Sequence, residues 1–481
     1  MTASDHAARY DEVPYPQVVH SASHPRVIGA MATLFGLDPA PPDRCRVLDI
    51  GCASGMNLIA MAVDHPEARF VGVDISASAI AAGRAIVEEL GLDNVTLVVG
   101  DLAADLDLGR FDYVLAHGVY SWIAPPLRAR LLEVIRRHLD PTGVAYISYN
   151  TYPGWHIAGL LRSLFLRQTD PAAPPLTRVA QARAVLHEHI GAAVEGSVRR
   201  AVLLHEQQLL DTTDDAYLFH EYFVDDHHPV YFEDFIAEAD AAELTYVSDA
   251  RPIQVIPGTQ PPNVAAAVQG LQDTIAIQQA LDHHLNTRFR WSILCPKGDL
   301  QPRLTIDPRG LSKLHIGLPR DRELHLMADG AEVHNAAGRR ITVNDRVVAD
   351  ILAHLRPLSP SSLPLTDLVD LADPGGRSLA GALIGLFFSN VTTLTTSPIS
   401  AAATLPERPT LSALNRLQAA RGFPLTNREF SSHALDDHGR EVAALLDGSR
   451  DVDAVAAAMG ALRPDVEGLL RVFVDASLIL S

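Results

Sequence analysis

The stretch Val47-Leu-Asp-Ile-Gly-Cys-Ala-Ser-Gly55 joins an apolar run, an acid, a turn of small residues and the start of a helical pattern. Small residues at such a turn let the backbone approach a ligand closely. A dinucleotide would set its pyrophosphate at this helix N-terminus, where Asp49 would repel it. The acid suits a ligand with cationic groups instead. S-adenosylmethionine (AdoMet) carries an ammonium and a sulfonium, and its carboxylate can meet the helix amides. Taken alone, the same stretch also reads as a structural strand-to-helix turn.

Two further acids stand in the same relation to apolar runs, in Val73-Asp74-Ile75 and Gly100-Asp101-Leu102. Acids at successive strand tips can be helix N-caps, or they can face a ligand beyond the carboxyl ends of the strands. The cofactor-facing set is therefore expected to be Asp49, Gly51, Cys52, Ala53, Gly55, Asn57, Asp74, Ile75, Asp101 and Leu102, with His117 beside it.

On the acceptor side, Asp112-Tyr-Val-Leu-Ala-His117-Gly-Val-Tyr120-Ser-Trp122 and Ser148-Tyr149-Asn150-Thr-Tyr152-Pro-Gly-Trp155 each follow or end an apolar run. His117, Tyr120 and Tyr149 are the candidates for orienting or deprotonating an acceptor, and Trp122, Asn150 and Tyr152 for binding it. Aromatic faces there can surround a cationic amine or exclude water. Trp122 and Trp155 serve equally as packing anchors, and His117 as a structural bridge. His220 and Glu221 join the acceptor set, and with His227 and His228 downstream they form a run that could suggest a metal. It lacks the helical His-Glu-x-x-His spacing of a zinc site and Pro229 interrupts it, so no metal is expected.

Positioning these groups requires an α/β fold. Apolar runs at 47–50, 69–73, 95–99, 113–116 and 144–148 alternate with helical stretches such as Ala77 to Leu90, bounded by Ser76 and Gly91. That alternation predicts a doubly wound, Rossmann-like parallel sheet within residues 1–169. The proline cluster after Asp170 opens a mainly helical middle domain, 170–287, with continuous helical character from Arg178 to Asp211. Residues 288–481 read as an α+β region with β-rich patches at Arg303–Ile306 and Glu323–Leu326, a helix from Arg346 to His354, and a winged-helix-like helix-then-strand order at 379–396.

Composition narrows the partners. Of 481 residues, 58 are acidic and 39 basic, a net charge of −19 without a dense basic cluster, which disfavours nucleic acid. The three cysteines form no metal or redox pair, and the N-terminus shows neither a secretory signal nor a membrane-spanning run. A cytoplasmic protein without membrane insertion is expected. Its partner would be a protein, peptide or small-molecule amine, or another nucleophilic acceptor, and a homo-oligomer is compatible with the sequence.

From about Arg46 to Tyr149 the chain resembles the class I AdoMet-dependent methyltransferases, through Asp49-Ile-Gly51-Cys-Ala53-Ser-Gly55. The resemblance implies that Asp74 holds ribose hydroxyls and Asp101 the adenine amine; Ala53 stands where a glycine is more usual. Tyr10-Asp-Glu-Val-Pro-Tyr15-Pro, Tyr217-Leu-Phe-His220-Glu221-Tyr222, Arg288-Phe-Arg-Trp-Ser-Ile-Leu-Cys295 and Leu425-Thr-Asn-Arg-Glu429 extend the likeness over most of the chain. They are similar to bacterial methyltransferases with a methyltransferase regulatory domain, a group that includes protein-lysine methyltransferases acting on outer-membrane proteins. This implies an acceptor, with a lysine amine leading. A small metabolite or peptide product, or a non-catalytic AdoMet-binding regulator, remains the alternative.

Overall fold

A computed structural model describes residues 12–480 except 106, 252, 254, 299–304 and 336–337. Tyr10 and the first half of the Arg303–Ile306 patch lie outside the described residues, and Thr305 and Ile306 are not in a strand.

The predicted strands form as β1 (Arg46–Ile50), β2 (Arg69–Asp74), β3 (Val95–Val99), β4 (Phe111–Ala116) and β5 (Leu139–Asn150). They pair in parallel, with Leu48 opposite both Val71 and Val114. Side chains alternate across the sheet. Val47, Tyr113, Leu115 and Tyr146 enter one buried cluster, and Leu48, Val114, Ala145, Ile147 and Tyr149 the other. The crossover helix Ala77–Leu90 starts where the Ser76 hydroxyl accepts from the Ala79 amide and stops at Gly91, φ +65°.

The sheet does not end with the first domain. β6 (Leu244–Asp249) and β7 (Phe289–Pro296) complete a seven-stranded order β3-β2-β1-β4-β5-β7-β6, with β7 antiparallel to both β5 and β6. The expected division at 287/288 thus falls just before a strand of the first sheet. Buried charge hides these strands in sequence. Arg290 is wholly buried on β7, with Nη2 2.8 Å from Asp282 and Nη1 3.6 Å from Asp249 on β6. Such a group is retained only where it is paired.

Between β5 and β6 the chain forms helices Gly154–Gln168, Pro175–Ala192, Val198–Asp211 and Asp215–Phe223 around Leu161, Phe165, Leu186, Leu203 and Phe219. The helical character expected from Arg178 to Asp211 is broken at Gly196, φ +71°. Beyond β7, β8 (His315–Gly317), β12 (Ser362–Pro364) and β13 (Thr393–Thr395) make one small sheet, and β9 (Glu323–Met327), β10 (Gly330–His334) and β11 (Arg340–Val343) another. Helices Arg346–Leu355 and Pro374–Phe388 pack nearby. The last unit gathers helices Ala413–Ala420, Asp437–Leu445, Val452–Met459 and Arg463–Asp475 with the two-stranded β14 (Leu425–Thr426) and β15 (Ser432–His433), around Leu411, Val442, Val455 and Phe473. Among the described residues no helix is long and apolar enough to cross a membrane.

Candidate active site

A cavity of about 1730 Å³ opens beyond the carboxyl ends of the parallel strands. That exceeds the roughly 300–1000 Å³ of a pocket for one small molecule. There is space for two ligands.

One wall is the expected cofactor side, formed by Asp49, Gly51, Cys52, Ala53, Asn57, Asp74, Ile75, Asp101 and Leu102. The loop after β1 takes positive φ at Gly51 (+76°), Ala53 (+50°) and Gly55 (+74°). Asp74 Oδ2 accepts from the Ala53 amide at 2.7 Å and Oδ1 from the Ser76 amide at 2.8 Å. Asp101 Oδ1 accepts from the Ala103 amide at 2.8 Å. Asn57 ties the wall to the N-terminal segment, accepting from the His20 amide and donating to the Ser23 hydroxyl, each at 3.0 Å. Gly55 departs from expectation. It does not line the cavity, and a Cβ there would lie 2.6 Å from Leu97 Cδ2, so it serves loop packing.

Asp49 is buried, and burial, with Asp74 nearby, pushes its carboxyl up to about 8; a hydrogen bond from Asn57 works the other way. A cationic ligand would relieve this cost. A Cβ on Gly51 would lie 2.4 Å from Val119 Cγ2, so the turn is closed to larger side chains. A buried acid that a cation would ionise, beside a cradle of small residues, fits AdoMet.

The opposite wall departs from expectation. His117, Trp122 and Asn150 line the cavity, but Tyr120, Tyr149 and Tyr152 do not. Tyr120 donates to Glu238 Oε2 at 2.5 Å, and Tyr149 shares a 3.0 Å hydrogen bond with Ser292 Oγ. The two rings pack with Phe235 on the helix Phe232–Ala241. Tyr149 follows the alternation of Ala145 and Ile147 into the core, while Tyr152 stacks on His156 at 4.3 Å. Neither Tyr120 nor Tyr149 is positioned to contact an acceptor.

His117 stacks on His20, ring centroids 3.7 Å apart, with Nδ1 2.9 Å from the Tyr146 hydroxyl. Burial, then the neighbouring His20, holds its pKa well below the ordinary value, so its ring is neutral at neutral pH. Asn150 Nδ2 lies 2.9 Å from His227 Nε2, and the His227 ring sits against Trp122 (4.6 Å) and Trp155 (4.1 Å). His220 points its Nε2 at the Val13 carbonyl, 2.8 Å away.

Glu221 also lines the cavity, together with Tyr15, Trp155, Tyr217, Tyr222 and Arg288. Burial pushes its carboxyl up to about 7, while Arg288 and a hydrogen bond with Tyr217 hold it lower. Tyr15 packs on Tyr217 at 6.1 Å and on His220 at 5.6 Å. Arg288 is committed to the buried Glu206, 3.0 Å away. The acceptor set expected from the sequence includes Glu221 but not Tyr15, His20, Tyr217, His227 or Arg288, which line or adjoin the cavity. Tyr15, Tyr217 and Arg288 each sit in one of the distinctive strings, and only the folded chain brings those strings together.

The sheet and its acid-tipped cavity are those of an AdoMet-dependent methyltransferase domain, and the family profile described as "Methyltransferase domain" matches residues 42–169. A "Predicted methyltransferase regulatory domain" matches 214–296, which includes β6 and β7, and a "PKMT, C-terminal winged helix domain" matches 407–466. The winged-helix match therefore lies downstream of the helix–strand pair at 379–396 from which one was expected. The chain belongs to the AdoMet-dependent methyltransferases that carry this regulatory domain and a C-terminal winged helix.

Among its relatives, uncharacterized protein RP789 of Rickettsia prowazekii is 34% identical over 66% of this chain, which spans 57% of that protein. Uncharacterized protein RP028 of the same organism is 35% identical over 48% of this chain and 93% of its own length. The structure of PKMT2 from Rickettsia typhi, also solved in complex with AdoHcy, shares the fold with a TM-score of 0.84 at 24% identity, covering 97% of this chain and 100% of that one.

Proposed function

We propose that this chain transfers a methyl group from AdoMet to an amine nitrogen, the lysine side chain of a protein being the favoured acceptor. One observation carries the reading: a buried carboxyl, Glu221, stands among aromatic rings in the same cavity as the cofactor loop. The fold shared with PKMT2 and the winged-helix match agree with a protein acceptor.

Asp49, Asp74 and Asp101 would hold the cofactor, with the Gly51–Ser54 turn at its methionine end. Bound AdoMet supplies an electrophilic methyl on a sulfonium. The chain must then align a neutral amine with it, and orientation of that kind can account for about 7–11 kcal/mol of barrier. Tyr15, Tyr217 and Trp155 give an ammonium group π faces to rest on. A lysine arrives protonated, and Glu221, ionised above about pH 7, takes a proton from its Nζ and leaves the lone pair free. Neutral His117 and His20 add no charge to repel either cation. We further propose that β6 and β7 belong to the catalytic unit, since Arg288 and Phe289 at the start of β7 line the cavity. The three cysteines are all buried and free, which agrees with a reducing, cytoplasmic setting.

The test is intact-mass analysis of candidate proteins, peptides and small amines incubated with the enzyme and AdoMet. Single-methyl mass steps on a lysine-bearing protein, absent with Glu221→Gln, are expected. Transfer to small amines alone, or to none of the panel, overturns the reading.

A further inference from the structure

The hairpin β9–β10 carries a cluster that methyl transfer does not use. Its register sets His334 opposite Glu323, and Glu332 opposite His325. Because side chains two apart on a strand share a face, the four residues form a square with the two imidazoles on one diagonal and the two carboxylates on the other. None of them lines the cavity.

His334 Nδ1 lies 3.2 Å from Glu323 Oε2, and His325 Nε2 lies 4.0 Å from that same oxygen. One ligand atom from each of Glu323, His325 and His334 falls within 4.8 Å of the others. The other nitrogen of His334, Nε2, lies 3.2 Å from Glu332 Oε1, and Glu332 is in turn 3.5 Å from Arg340 Nε on β11. This is the arrangement metal sites employ: a carboxylate takes the N–H of a ligating imidazole and fixes which nitrogen faces the ion.

We propose that Glu323, His325 and His334 form a site for a divalent transition metal, zinc above all, with Glu332 as the orienting carboxylate. Two imidazoles and one carboxylate suit Zn²⁺, Cu²⁺, Ni²⁺ or Co²⁺ rather than Mg²⁺ or Ca²⁺. Three protein ligands leave a fourth position to water. The ion would cross-link β9, an edge strand whose side chains are mostly exposed, to β10, whose Ala331 and Val333 anchor it in the core.

The experiment is a calorimetric Zn²⁺ titration of the full, tag-free chain after chelator treatment, beside the His325→Ala/His334→Ala double variant and Glu332→Gln. Weak uptake by the other histidines is common to all three proteins and cancels. One equivalent bound by the wild type and lost in the double variant is expected, with affinity about 10–100-fold weaker in Glu332→Gln. Zn²⁺ should also raise the Tm of the wild type and not of the double variant. Equal uptake by wild type and double variant, no saturable uptake by the wild type, or an unchanged affinity in Glu332→Gln overturns the site.

Discussion

Asp74 Oδ2 lies 2.7 Å from the amide nitrogen of Ala53, so the acid at the tip of β2 holds the loop that follows β1. The bond fixes a non-glycine residue in the left-handed region, φ +50°. Asp74→Ala therefore removes a proposed ribose partner and loosens the neighbouring turn together. Charge-assisted hydrogen bonds of this type are worth about 1.5–3 kcal/mol each, so calorimetry should find AdoMet bound at least ~10-fold more weakly. Unchanged affinity in a folded variant would remove Asp74 from the site.

Ala53→Gly tests the same loop from the other side. The left-handed conformation costs an alanine roughly 1–2 kcal/mol, partly offset by the greater freedom of glycine in the unfolded chain. The variant should gain up to about 1 kcal/mol in denaturant unfolding while binding AdoMet as well as the parent. A loss of stability would show that the methyl makes contacts outweighing the backbone strain.

For Asp49, folded and unfolded states disagree about a proton. Burial raises its pKa from 3.8 to about 8, so between these values the folded chain holds a proton that the unfolded chain has released. Stability from this group is full below about pH 4 and declines as pH rises toward about 8. Asp49→Asn should therefore be more stable than wild type at pH 8, with the difference vanishing near pH 4, and should no longer bind AdoMet. A cationic ligand ionises Asp49 on binding, so titrations in buffers of different ionisation enthalpy should show proton release at pH 7 and little at pH 9. Equal proton release at both would refute this assignment.

Glu221 gives the acceptor side its own pH signature. With its carboxyl at about 7, transfer should rise as pH increases through that value, because the ionised form accepts the proton. Glu221→Gln should cut kcat by about 10²–10⁴-fold and abolish the rising limb, while leaving AdoMet affinity within a few-fold. Were the limb to persist in that variant, another group would be the base.

Tyr149→Phe separates the sequence expectation from the fold. Loss of its bond to buried Ser292 should cost about 1 kcal/mol of stability, with kcat within about twofold of wild type. A large fall in kcat without loss of stability would return Tyr149 to the chemistry.

The acid-bearing wall of the cavity is legible in the sequence because its signals are local. Asp49, Asp74 and Asp101 stand at or beside the ends of short apolar runs, and strand tips face the ligand in such sheets. Proximity to a strand end does not make a side chain face the ligand: the apolar partners Ala145 and Ile147 on β5 assign Tyr149 to a core face, and Tyr120 sits in a helical turn beyond β4 that turns it toward Glu238. The acceptor half depends on distant pairs. Val13 meets His220, Tyr15 meets Tyr217, and Arg288 meets Glu206, contacts that no local pattern encodes. β6 and β7 are hard to recognise in sequence because the buried pair Asp249 and Arg290 puts a charge at the end of one apolar run and near the start of the other.

The segment from Val13 to His20 touches both half-sites. Its Gln17 accepts from Ser54 and its His20 amide donates to Asn57 on the cofactor side, while Val13 and Tyr15 contact His220 and Tyr217 on the other. A single ribbon of chain thus belongs to two binding events. A ligand that restricted the ribbon on one side would spare its partner that loss of freedom, so the two affinities are expected to be linked through entropy.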